Sequence, residues 1–522
     1  MPLRVDNSLE DYATRLSQWF NYQRAVALDN SELFDVHTWS EYPEVNNAVN
    51  QLYSILLELP DFRGHAVLRK KHLKVIILHL YVVWFKDPTR YTSLNRHKAF
   101  YDDLESRYNK LFIRKVIISI VDALHELDYI ELHLGTYARE PGYKSRLTRI
   151  RATEKLTNLF TENHFSPEMV ERAPTIETII LRDSESPDSK EIIDVRYLDE
   201  SDPRIISWRE NLVAYNNLLR RTYIDIPSAQ DGRIVCRQSA RAIRLRQKPK
   251  VISINQHDKF VRRVFNYGDW NLGGRFYGGW WQRVSEDWRS QIRIWNNPVT
   301  EVDYKGLHIN LLYRKIGIVY ADDPYLLDGY EQTGEMRQLL KLVLLCSINA
   351  VDKTTAIKAI NKDVNFNPED YSWVREEEIN IGLLVDALAT KHPQIAEKFF
   401  FKNQGIELQN LDSMIAEKII SHFTTQDIPV LCVHDSFVIQ ANRAEELKEV
   451  MEQAFLEAFS ESGLDQAIPP STDLTGLAYG QFAIILSHPD WRDVLDSLYR
   501  EQYDYPNWTR KLRKFREITQ AA

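Results

Sequence analysis

Two aspartates set at breaks in apolar runs are the residues with the clearest capacity for chemistry. In Thr300 to Tyr313, TEVDYKGLHINLLY, the first half together with Val299 alternates as a buried strand does and delivers Asp303 to the strand's end. The GLHINLLY that follows restarts with helical spacing, which puts Asp303 at a strand-to-helix corner. Far downstream, Pro429 to Ile439, PVLCVHDSFVI, is an apolar run broken by His434-Asp435-Ser436, as at a hairpin turn. If these strands are neighbours, two carboxylates meet at one edge of a sheet. Such hard oxygen ligands hold a pair of Mg²⁺ ions, or Mn²⁺, roughly 3.5–4 Å apart for phosphoryl transfer. A single Asp at a strand end is more often a turn former or helix cap, so the argument needs both.

Between the strands, Glu335 to Ala350 (EMRQLLKLVLLCSINA) reads as an amphipathic helix with Leu339, Leu340, Val343 and Leu344 as core. Arg337 and Lys341 are four apart and share a face. That face is either a solvated stripe or a cationic grip for a triphosphate opposite the metals. Upstream, Gly273 to Gln282 (GGRFYGGWWQ) sets Arg275 among glycines and aromatics, as expected of a Gly-rich hairpin or of backbone lying close to a ligand. The G-x-x-x-x-G-K-[ST] pattern of a P-loop is absent.

In this order, the blocks resemble the polymerase domain of family A DNA polymerases, the bacterial DNA polymerase I type, and of the related single-subunit phage-type RNA polymerases. The resemblance covers about residues 260 to 460. It implies that Asp303 and Asp435 are metal ligands, and that Arg337 and Lys341 hold the phosphates of the incoming nucleotide and assist catalysis. It makes Arg275, Gln282, Gln409 (in GIELQNLDSMIAEKII) and His434 contacts to primer and template. His308, Leu345 and Asn349 fall at nucleotide-binding positions, but there the sequence departs from the family. Leu345 and Asn349 stand where an aromatic and a Tyr are usual. His308 stands where DNA polymerases carry a Glu that screens the sugar, and Ser436 follows His434-Asp435 as in the phage-type RNA polymerases. The resemblance therefore implies a template-directed nucleotidyltransferase, in the first instance a DNA-dependent DNA polymerase. It leaves open a single-subunit RNA polymerase or primase-like enzyme, and a catalytically weak winged-helix replication or regulatory factor. The implied partners are nucleic acid and nucleoside triphosphates. The implied fold class is α+β, a right-hand polymerase with palm sheet and helical fingers and thumb, preceded by a mostly helical region containing a winged helix.

The bulk composition permits this without requiring it. A chain of 522 residues usually forms about two to four domains. The formal net charge of -8 gives no general basic character, so nucleic acid would have to meet a local cationic face. The three cysteines (Cys236, Cys346 and Cys432) have neither zinc spacing nor a disulfide framework, and point to a reducing, cytoplasmic setting. The most apolar run, Val75 to Phe85, is too short to span a bilayer, so no membrane role is expected. No signal-like segment opens the sequence.

The supporting elements are expected as follows. Residues 1–64 are a helical region rich in aromatics such as Trp19, Phe20 and Tyr22. Residues 65–165 resemble a MarR-like winged helix. This region begins with a helix over 65–86 whose basic first half is exposed and whose apolar second half is buried. Leu111 to Leu127 is a further helix, and a strand and a basic hairpin follow it. By that resemblance Arg114, Lys115, Arg146 and Arg149 would reach DNA. Residues 166–204 are a connector in which IETIILRD and KEIIDVRYLD pair as a hairpin. The polymerase-like domain occupies 205–522. It opens with a helix over 205–226 and then a basic run, Gln230 to Lys250, suited to phosphates. Ile360 to Asp370 reads as a loop, with helices at 380–401 broken by Pro393, at 409–423, at 444–459 and at 490–519.

Overall fold

The structure is a computed structural model. It describes residues 28–101, 116–136, 145–173, 176–182, 202–229, 232–236, 249–254, 258–458 and 472–475, with the single positions 238, 243, 256, 513 and 515. Arg114, Lys115, the 1–27 segment, most of the 230–250 basic run and nearly all of 490–519 lie outside the described residues. The chain mixes helix and strand and divides into two compact units. The first comprises Met1–Glu177 with Asp194–Leu198 and Asn255–Asp258; the second comprises Thr178–Ile193, Asp199–Ile254 and Lys259–Ala522. No described helix is long and apolar enough to cross a membrane.

The first unit runs β1 (Ser31–Leu33), β2 (Thr38–Trp39), α1 (Pro43–Leu56), α2 (Ala66–Lys86), β3 (Tyr91–Leu94), α3 (Val116–Glu126), β4 (Ile130–His133), β5 (Thr148–Ala152), α4 (Glu154–Glu162) and β6 (Glu171–Arg172). Its main sheet has the order β1-β3-β5-β4, parallel between β1 and β3 and antiparallel elsewhere. One core joins α1, α2, α3 and α4, with Leu52, Leu73, Ile76, Ile120 and Phe160 at its centre. Helix α2 is buried over most of its length, not over its second half alone. Arg69, His72 and Lys74 are enclosed along with the apolar residues that follow them. The Lys74 ammonium reaches the Ser40 carbonyl at 2.9 Å and lies over the Trp39 ring at 4.3 Å, so its charge is satisfied internally. A basic residue on a helix therefore did not mark a solvated face here.

The arginines of the β4–β5 hairpin are also engaged within the unit. Arg146 donates to Asp29 at 2.8 Å, Arg149 donates to the Leu28 carbonyl at 2.8 Å, and Arg151 forks onto Glu131 at 2.7 and 2.9 Å.

The second unit begins with β7 (Ile179–Leu181), α5 (Pro203–Arg221), β8 (Ile224–Asp225) and the pair β9 (Arg233–Val235) and β10 (Val251–Ser253). The described partner of β7 is β11 (Val261–Asn266), in parallel; the expected hairpin partner at 190–199 lies outside the described residues. Strand β11 turns into β12 (Asp269–Gly278), which carries the Gly-rich motif. Gly273 and Gly274 adopt φ 76° and 85° at a bulge. A Cβ at Gly274 would lie 2.8 Å from both Phe265 and Ser413, so the glycines permit packing inside the unit.

After β13 (Arg293–Ile294) come β14 (Asn297–Tyr304), α6 (Leu307–Lys315), α7 (Gly334–Asn349), α8 (Lys353–Phe366), α9 (Pro368–Glu376), α10 (Ile381–Lys391), α11 (Pro393–Phe399) and α12 (Gly405–Thr425). The stretch 360–370 is thus mostly helical, not a loop. Ala356, Ile360 and Val364 recur every fourth residue and are buried, and Pro368 opens the next helix at its first position. The hairpin of β15 (Leu431–Val433) and β16 (Ser436–Gln440), then α13 (Ala444–Glu457) and β17 (Thr472–Thr475), complete the unit. The central sheet has the order β15-β16-β14-β13-β8, with β17 also paired to β14.

Arg263 ties the β11–β12 hairpin to α12. It is almost wholly buried, donates to the Gly274 carbonyl at 2.8 Å, forms an ion pair with Glu417, and lies 4.7 Å from the Trp208 ring. Removing one partner of a buried ion pair strands the other's charge and costs about 3–5 kcal/mol. Arg263→Ala is therefore expected to lower the urea midpoint sharply. Arg263→Met combined with Glu417→Gln should recover much of that loss.

Candidate active site

Strand β14 places the first carboxylate. Val302 and Tyr304 point into the core, and the Tyr304 hydroxyl donates to the Met451 carbonyl at 2.5 Å. Alternation then puts Glu301 and Asp303 together on the other face. The antiparallel register sets Asp303 opposite Ser436, the residue after Asp435, so the hairpin turn brings the second carboxylate beside the first. That turn is two residues long, between Val433 and Ser436, and His434 takes it in the left-handed region at φ 60°.

Glu301 does not join the pair. Arg289 forks onto it at 2.8 and 3.0 Å, and the Ser436 hydroxyl donates to it at 2.6 Å. Ser436 thus has a structural task that its place after Asp435 did not reveal.

The electrostatics show two acids in conflict. The Asp303 carboxyl is pushed up to about 8, first by burial and next by the negative charges of Asp435 and Glu301; the Lys341 ammonium pulls it back down. The Lys341 charge is therefore felt at Asp303. Lys341 lies on α7, whose N-terminus is capped by the Thr333 hydroxyl accepting from the Met336 N–H at 3.0 Å. Arg337, Lys341 and Leu345 form a stripe along that helix, with Lys341 and Leu345 exposed. The Arg337 guanidinium holds Asp323 at 2.6 Å, and both cations lie over the Tyr325 ring, at 5.0 and 5.8 Å. Asn349, four residues beyond Leu345, is exposed. Its amide donates to the Leu345 carbonyl at 2.9 Å and packs so close to Gly405 that a Cβ there would sit 1.5 Å from its oxygen.

A second cluster borders the first. Arg275 on β12 forms a doubly bonded ion pair with the buried Asp412 of α12, with its Nε 2.9 and 3.1 Å from the two carboxylate oxygens. His308 of α6 completes the group, 3.1 Å from Asp412 and 3.3 Å from Arg275. Gln409 is half-buried one turn before Asp412 on the same helix. The His434 ring meets Tyr277 edge-on at 5.7 Å, and among the described residues its buried Nδ1 has no hydrogen-bond partner. Burial, reinforced by the Arg275 charge, lowers its basicity, so the ring is neutral near pH 7. Gln282 is engaged inside the fold. It donates to the carbonyls of Phe276 and Cys432 at 3.0 and 2.9 Å and accepts from the Gly278 N–H at 3.1 Å.

The structure thus gathers Asp303, Asp435, Lys341 and Arg337 at one locus, with the Arg275–Asp412–His308 group and His434 beside it. Leu345 continues the cationic stripe, while Asn349 and Gln282 serve packing. Sequence reasoning missed Asp412 and Tyr325. Asp412 was legible only as a polar residue within an apolar helical run, and Tyr325 lies in a connecting segment with no periodic signal.

Among the described residues, no three His, Cys, Asp or Glu side chains are gathered to enclose a metal. The carboxylate pair does fit magnesium, which binds through one or two carboxylates and takes its other oxygens from water and substrate phosphates. A divalent cation would also relieve the repulsion that holds a proton on Asp303. No protein-family model matches the chain, and no curated protein matches it significantly.

From about pH 4, the ordinary carboxylate value, to about pH 8, the folded metal-free chain holds a proton that the unfolded chain has released. Stability must therefore fall as pH rises through that window. In chelator, Asp303→Asn is expected to melt at a higher temperature than the natural chain at pH 8. The difference should shrink to nothing near pH 4, and Mg²⁺ at pH 8 should raise the melting point of the natural chain alone. Melting curves that stay parallel across the pH range would show that the two acids do not repel each other.

Proposed function

We propose that the second unit is a template-directed nucleotidyltransferase. The observation that carries this reading is the joining of Asp303, at the end of β14, and Asp435, at the β15–β16 turn, with the Lys341 charge of α7 acting on Asp303. A nuclease would need the carboxylates but would have no triphosphate for Arg337 and Lys341 to hold. In this reading the β14–β16 sheet is the palm, α7 belongs to the fingers, and the substrates are a primer-template, most simply DNA, and nucleoside triphosphates.

The two carboxylates would hold Mg²⁺, which supplies an activated primer 3′-hydroxyl and charge neutralisation at the triphosphate. Lys341 and Arg337 bind the phosphates and stabilise the negative charge that builds on the leaving pyrophosphate. Arg337 exchanges Asp323 for phosphate as the nucleotide enters. Asp412 holds Arg275 and His308 in fixed orientations beside the carboxylates, where the primer end and the incoming sugar would lie. The neutral His434 orients the primer end. The hairpin arginines of the first unit lend no support to a purely DNA-binding role, because Arg146, Arg149 and Arg151 are all engaged internally.

The test is extension of a labelled primer-template, and of template alone, with deoxynucleotides and ribonucleotides supplied separately in Mg²⁺. Asp303→Ala is expected to abolish incorporation while the chain still folds and binds primer-template; full activity in that variant would refute the reading. Lys341→Ala should lower kcat by about 10²–10³, the usual loss when one preorganised donor to the developing charge is removed. Its effect on primer-template affinity should be small.

A further inference from the structure

The segment between α6 and α7 is built to hold one side chain in the site. At its start the Tyr320 ring stacks on Tyr313 with centroids 4.5 Å apart and planes 10° from parallel. Buried His392 joins the Tyr313 hydroxyl at 2.9 Å to the Pro324 carbonyl at 3.0 Å. A carbonyl only accepts, so His392 Nε2 carries the proton and Nδ1 accepts from Tyr313.

Pro324 in turn packs on Gly306, where the chain turns the corner after Asp303 at φ 64°; a Cβ there would lie 2.9 Å from the proline ring. The next residue, Tyr325, donates its N–H to Asp323 Oδ1 at 2.9 Å, and the other oxygen of Asp323 holds Arg337 at 2.6 Å. The Tyr325 ring lies under both cations of α7, and its hydroxyl is within electrostatic reach of Asp303 and Asp435. Among the described residues that hydroxyl has no hydrogen-bond partner.

A ring pinned through its neighbour to the Asp303 corner, seating both phosphate-binding cations, with an unspent hydroxyl beside the carboxylates, is placed for substrate. We propose that Tyr325 contacts the incoming nucleotide: its ring seats Arg337 and Lys341, and its hydroxyl donates a hydrogen bond to a triphosphate oxygen. The proposal rests on the nucleotidyltransferase reading. The hydroxyl stays protonated throughout, since burial and the nearby acids raise it to about 12.

The experiment is steady-state primer extension by the full chain, with melting temperatures as a check on folding. Tyr325→Phe keeps the ring and is expected to raise the nucleotide KM roughly tenfold or more, as for loss of one hydrogen bond to a charged group. Its kcat and primer-template affinity should change little. Tyr325→Leu also removes the seat under the cations and should lower kcat in addition. A Tyr325→Phe protein with an unchanged nucleotide KM overturns the proposal. So does an equal loss of kcat in both variants without a change in KM, which would mark a structural role. Those two results leave the underlying reading intact as long as the natural chain extends the primer and Asp303→Ala does not. A natural chain that extends nothing overturns both.

Discussion

The site depends on the pairing of β14 with β16. Five consecutive residue pairs, from Val299 with Gln440 to Asp303 with Ser436, hold the strands in register. Val302 pairs with Phe437, and Phe437, Val438 and Ile439 are buried in succession, so both faces of β16 are covered by the core. That pairing brings two acidic side chains together at the end of β14 and the β15–β16 turn. The proton retained on Asp303 records the cost of this arrangement, and a cation is the natural remedy. Strongly perturbed acids of this kind cluster at functional sites.

Around this pair the second unit assigns its charges in two ways. Some ion pairs are internal and position other groups. Arg289 removes Glu301 from the carboxylate cluster, Arg263 fastens the hairpin to α12, and Asp412 fixes Arg275 and His308. The cations of α7 are different. Arg337 rests on a half-exposed aspartate and an aromatic face, partners that a more highly charged ligand can displace, and Lys341 is exposed.

The local elements were largely legible in the sequence. Asp303 at a strand-to-helix corner, the two-residue turn at His434-Asp435, the helix carrying Arg337 and Lys341 and the helix break at Pro393 all follow from periodicity and turn chemistry. Errors arose where tertiary packing overrode local polarity. Asn361 and Asn365 sit on a helix because Ile360 and Val364 have a core to face. The basic half of α2 is buried because Ser40 and Trp39 accept the Lys74 charge. Arg146 and Arg149, expected at phosphates, have Asp29 and the Leu28 carbonyl as partners within their own unit.

By itself the sequence determined which residues had the right chemistry and which local element would carry each, because side-chain type and periodicity are properties of short stretches of chain. Only the tertiary structure decided which of them meet. Asp303 and Asp435 are 132 residues apart in the chain and become neighbours through a strand register. Arg275 reaches Asp412, and Tyr325 reaches α7, through packing that no local pattern encodes. Juxtaposition of that kind is fixed by the burial of distant apolar surfaces against one another, and that is a property of the whole fold.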